Sequence, residues 1–94
     1  MNKLQSSEIQ ELGFLDVEEF IGVRMSKGGP YELVVITSEA NNERYVLNTL
    51  VTQKNKVRQF KTLDALDSFL MGIDVEEFTT MSEAAFDEKY VEQG

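Results

Sequence analysis

A chain of 94 residues, 41% of them apolar and with a formal net charge of −8, is sized for one domain that buries about 60–65% of its unfolded surface. Its six Phe and three Tyr argue against disorder despite the charge. Cysteine and histidine are both absent. Disulfides and thiolate metal sites are thereby excluded, and the usual general base near neutral pH, the commonest metal ligand and any Ser–His or Cys–His dyad are missing.

Catalysis would have to rest on carboxylates, lysines or tyrosines, so the chain reads as a non-enzyme that needs no cofactor. The N-terminus, Met1-Asn2-Lys3-Leu4-Gln5-Ser6-Ser7, has no apolar region behind its lysine. The run Leu33-Val34-Val35-Ile36 is far short of the ~20 residues that span a bilayer. A soluble, cytoplasmic protein without a signal peptide or membrane segment is expected.

Along the chain, Ser7 with Gln10 three residues on is a capping-box pattern, and Ile9 and Leu12 share helical spacing before Gly13; a short helix over about 6–12 follows. Residues 14–21 fit helix or strand, and the strand reading is preferred, with Phe20 to Ser26 feeding the turn Lys27-Gly28-Gly29-Pro30. Tyr31 to Ser38, rich in Val and Ile, completes a hairpin. Glu39-Ala40-Asn41-Asn42 turns the chain into a third strand, Arg44 to Thr52. Gln53-Lys54-Asn55-Lys56 then leads to a short strand over Val57 to Lys61.

Thr62 is placed as a helix N-cap with Asp64 in the first turn. Leu63, Leu66, Leu70 and Ile73 form one helical stripe ending near Gly72. Asp74 to Met81 reads as an edge strand or extended connector, and Ser82 caps a last helical segment, Glu83 to Val91. The expected fold is α+β. An antiparallel meander of three to four strands carries a helix on one face, with a short N-terminal helix and an acidic C-terminal one, in a single domain frayed at 1–5 and 92–94.

The charge is unevenly spread. Residues 1–23 sum to −4, residues 24–61 to +4 and residues 62–94 to −8. A mildly basic sheet with acidic flanks favours a basic partner. The acidic surface is assigned to Asp74, Glu76, Glu77, Glu83, Asp87 and Glu88. A row of carboxylates of this kind can imitate the phosphate charge of DNA. In the tail, Met81, Ala84, Ala85 and Val91 form one stripe, and Phe86 with Tyr90 falls roughly opposite. Either one stripe is exposed, making Phe86 and Tyr90 candidate partner contacts, or the tail is not a regular helix and both aromatics tuck against the sheet.

The alternative reading is nucleic-acid binding through Lys54, Lys56, Arg58 and Lys61, with Phe60 on the face of Lys56 and Arg58. A pI near 4.4 opposes it. As metal ligands, Asp74 with Glu76 or Asp16 with Glu19 offer two carboxylates, fewer than a hard cation needs. One echo stands out. Asp16-Val17-Glu18-Glu19-Phe20 returns unchanged as Asp74-Val75-Glu76-Glu77-Phe78, with neighbours that do not align.

Size, acidity and the lack of catalytic side chains resemble the small phage and plasmid proteins that inhibit or adapt larger host machines. The resemblance is one of class, with no motif behind it. The reading is a non-catalytic protein-binding module, an inhibitor or adaptor with an acidic face toward a basic protein. A homodimer is compatible with it.

Overall fold

A computed structural model of the chain describes residues 2–12, 17–38 and 45–91. Three β-rich segments form the antiparallel centre. Strand β2 (Val17–Arg24) pairs with β3 (Tyr31–Ser38), and β3 pairs with β4 (Tyr45–Val51). The β2–β3 turn closes with the Met25 N–H donating to the Pro30 carbonyl at 2.9 Å. Gly28 and Gly29 adopt φ of 85° and 104°, which residues with a Cβ rarely reach.

Two short parallel strands, from the start of the chain and from the segment after the second helix, extend this meander. Asn2–Gln5, expected to be frayed, forms β1 and pairs with β4; Thr79–Ser82 forms β6 and pairs with β2. Gln59–Phe60 (β5) pairs with the first residues of β3, so the expected Val57–Lys61 strand is reduced to these two laddered residues and a single antiparallel bridge from Val57 to Val51. The fold is α+β, but the sheet is mixed and six-stranded, ordered β1-β4-β3-β2-β6 with β5 beside β3. A purely antiparallel meander is thus corrected. Parallel partners come from distant segments joined by crossovers, and four-residue strands carry almost no periodic pattern of their own.

Both faces of the sheet are covered, not one. In β2 and β3 the buried residues run continuously, Phe20–Val23 and Leu33–Ile36, the pattern of a sheet packed on two sides. Alternate side chains divide between two cores. Leu33, Val35 and Phe20 meet Leu4, Ile9, Leu50, Phe60, Leu66, Leu70 and Val75, beneath α1 (Ser6–Leu12) and α2 (Leu63–Gly72). On the other face, Ile21, Val23, Val34 and Ile36 lie under Phe86.

The Thr62 hydroxyl caps α2, accepting from the Ala65 N–H at 3.1 Å. Leu66 and Leu70 are fully buried while Leu63 is exposed, so the expected stripe is rotated by part of a turn. A Cβ built on Gly22 would lie 2.5 Å from Leu66 Cδ2, so α2 rides directly against β2 at its one residue without a side chain. The tail begins where expected, with the Ser82 hydroxyl accepting from the Ala85 N–H at 3.2 Å. After α3 (Glu83–Phe86) it widens into a π-helical turn, Asp87–Val91. Among the described residues no helix is long and apolar enough to cross a membrane.

Candidate functional site

The repeated pentapeptide is where sequence and topology meet. In the β2–β6 ladder Ile21 stands opposite Thr79 and Gly22 opposite Thr80, partners 58 residues apart in sequence. Val17 and Val75, or Phe20 and Phe78, are separated by the same 58 positions. The two copies therefore run up to the ladder side by side and enter it in step. Asp16, the first residue of the first copy, lies outside the described residues, as do Gly13 and the Glu39–Asn42 turn.

Within each copy the apolar residues take the same role. Val17, Phe20, Val75 and Phe78 all pack in the core beneath α2. Residues three apart on a regular strand point to opposite faces. In β2 the conflict is resolved by a bulge: Val17 pairs with Thr37 and Glu19 with Ile36, leaving Glu18 as the extra residue. Such a bulge bends the strand and re-aims its side chains. The glutamates are left outward, with Glu18, Glu76 and Glu77 exposed and Glu19 half-buried.

The strands are bridged only from Ile21 and Thr79 onward. Before that point they flank an open cleft of about 670 Å³. Glu18, Glu19, Glu76 and Glu77 line it, together with Val17, Phe20, Phe78 and Thr79. Four glutamates thus line one opening together with three apolar side chains. Among the described residues no three acidic side chains converge closely enough to hold a metal ion. The arrangement is a broad anionic surface, suited to several cationic groups at once.

One carboxylate is tethered. The Tyr90 hydroxyl donates to Glu19 Oε2 at 2.9 Å. Burial, reinforced by the Glu19 carboxylate that accepts its proton, holds the Tyr90 hydroxyl above the ordinary tyrosine range. A second hollow of about 310 Å³ adjoins Glu18 and Glu19 on this side, bounded by Ile36, Lys89 and Tyr90. Lys89 is thus a base that shares this hollow with the paired glutamates of the first copy.

Asp74 is held less comfortably. It follows α2 with φ of 63°, in a C-terminal motif where the Val75 N–H donates to the Leu70 carbonyl at 2.9 Å and the Asp74 N–H to the Met71 carbonyl at 3.1 Å. Glycine is the usual residue at such a position. A carboxylate there also faces the negative end of the helix dipole.

The six acids expected to form one surface divide into two groups. Asp74, Glu76 and Glu77 stand at the cleft and the hollows beside it. Glu83, Asp87 and Glu88 lie on the tail, which packs against the opposite face of the sheet from α2. Glu18 and Glu19, not assigned from sequence, take their place beside Glu76 and Glu77. The pentapeptide echo was the one signal that pointed to them.

The aromatic contacts are corrected. Phe86 is 3% exposed, and Tyr90 is half-buried against it with ring centroids 5.3 Å apart. Of the two readings of the tail, the second describes it: the helix is irregular and both aromatics tuck against the sheet. Ala84, Ala85 and Val91 face outward instead. Lys54, Lys56, Arg58 and Lys61 are all exposed, whereas Phe60 is buried and offers no stacking surface. Comparison with known proteins returns no match, neither a family model nor a curated protein nor a solved structure.

Proposed function

We propose that this chain is a protein-binding module whose acidic cleft receives a Lys- or Arg-rich surface of a partner protein. The observation that carries this reading is the placing of two identical Glu-Glu-Phe segments, in step, around one opening. Gathering four carboxylates raises their mutual repulsion, which a cationic partner relieves. A concave site lined by one sign of charge also focuses the field and speeds encounter with the opposite sign. In its narrower form the module is an inhibitor or adaptor whose carboxylates stand in for nucleic-acid phosphates in a basic groove.

The test separates the two acidic groups. Cell extract is passed over immobilised wild type, the cleft variant Glu76→Lys/Glu77→Lys and the tail variant Glu83→Lys/Glu88→Lys. Proteins retained by wild type at low salt should be lost from the cleft variant and kept by the tail variant. Equal retention by wild type and the cleft variant would overturn the assignment.

A further inference from the structure

The end of the sheet opposite the cleft has a different character. Strand β2 ends at Arg24 and returns through residues 25–30 to Tyr31. Strand β4 ends at Val51, and the chain passes through the turn closed by the Thr52 N–H and the Lys56 carbonyl, at 2.7 Å, into β5. Gln59 and Phe60 of β5 pair with Glu32 and Tyr31, which places both turns at one end. They touch. A Cβ on Gly29 would lie 2.7 Å from the Lys61 carbonyl oxygen.

Six bases lie at this end: Arg24 at the end of β2, Lys27 in the first turn, Lys54 and Lys56 in the second, and Arg58 and Lys61 on either side of β5. All six are exposed, and they are six of the nine Lys and Arg in the chain. Glu32, the acid on the strands at this end, is engaged by Gln59 Nε2 at 3.1 Å, and the exposed Glu83 follows Ser82, the residue opposite Arg24.

One of the six is pre-positioned. The Arg58 guanidinium sits 5.0 Å from the centroid of Phe60 and 4.8 Å from that of Phe69. Those two rings are themselves 5.3 Å apart. A guanidinium held over aromatic rings by cation–π attraction makes no hydrogen bond to them, so its planar fork of N–H donors remains for other acceptors such as phosphate oxygens. Phe60 is buried, so its ring cannot also stack on a base.

From this placement we infer a second binding site, for the phosphate backbone of a nucleic acid, read without regard to base sequence. Arg58 is its fixed contact, and the lysines of the two turns are its mobile ones. Six charges spread over two loops fit a linear run of phosphates better than a single one. The acidic cleft lies at the far end of the strands, which orients the chain on the polyanion despite its net charge.

The test is fluorescence anisotropy with short fluorescein-labelled single-stranded DNA, duplex DNA and single-stranded RNA, starting at about 50 mM salt. Wild type should bind at least one probe, and binding should weaken as salt rises. The exposed double variant Lys54→Glu/Lys56→Glu, its fold checked by circular dichroism, should weaken binding by at least about tenfold. The salt slope should fall by about 0.7–0.9 for each phosphate that is no longer neutralised.

Arg58→Lys keeps the charge but removes the planar fork held over the two rings, and should weaken binding by a smaller factor, about threefold. Glu76→Lys/Glu77→Lys, at the other end, should bind at least as tightly as wild type. The inference is overturned by no binding to any probe, by unchanged binding of Lys54→Glu/Lys56→Glu, or by equally effective competition from polyglutamate. Because the site shares no residue with the cleft, its failure would leave the protein-binding reading standing.

Discussion

The two Val-Glu-Glu-Phe segments, 17–20 and 75–78, differ in what surrounds them far more than in what they are. Both send Val and Phe into the core beneath α2 and both turn their glutamates outward. The first copy lies inside the sheet, paired with β3 on one side and bulged at Glu18; the second arrives from the end of α2 and pairs only once β6 begins. As a result Phe20 is buried while Phe78 is half-buried, and Glu19 is bound by Tyr90 while Glu76 and Glu77 are exposed. Identical residues take identical in–out roles because both copies enter one ladder in step. Their energetic weight and freedom are set by their neighbours.

The largest expected effect exploits this difference directly. Phe20→Ala should cost about 3–5 kcal/mol, and Phe78→Ala about 1–2 kcal/mol because less area returns to water. Urea denaturation of the two variants would measure the gap, and equal costs would break the comparison. Next, Gly22 and Thr80 face each other just beyond the two copies. Gly22→Ala forces Leu66 out of its place and should cost about 1–3 kcal/mol. Thr80→Ala, at an exposed edge, should stay within about 0.5 kcal/mol.

The tether on the first copy comes third. Tyr90→Phe should lower stability by about 1 kcal/mol. Because the Tyr90 hydroxyl is held above its ordinary range, the folded state binds that proton more tightly than the unfolded chain does. The contribution is therefore complete below the ordinary tyrosine range and is lost as pH rises through the raised value. Tyr90→Phe should remove that part of the alkaline decline, which stability curves taken toward high pH would show. The smallest effect belongs to the second copy and has the opposite sign. Asp74→Gly should raise stability by about 0.5 kcal/mol, since glycine adopts the positive φ without penalty. A thermal-shift measurement decides it.

The central strands, α2 and the start of the tail were legible from local patterns. Tyr31–Ser38 has the β-branched content of a strand, Gly28-Gly29-Pro30 marks the turn before it, and Thr62 and Ser82 cap helices where their spacing placed them. The run Leu33-Val34-Val35-Ile36 signals more than a strand. A strand buried on one face alternates, whereas four consecutive apolar residues already imply cover on both. In the tail, Phe86 and Tyr90 outweighed the small stripe because aromatic area dominates burial.

What the sequence by itself determined was the central strands, the capped helix starts and the chemistry it withholds, with neither cysteine nor histidine to act. Composition and short-range spacing govern those. Only the tertiary structure decided that β1 and β6 join the sheet in parallel, because pairing between distant four-residue segments leaves no periodic trace. The same pairing converted a five-residue coincidence into a cleft of four carboxylates. The antiparallel pairing of β5 with β3 likewise placed Arg24 and Lys27 at the same end of the sheet as the bases of the 52–61 segment, since residues far apart in sequence share a site only through the register and closure of the sheet.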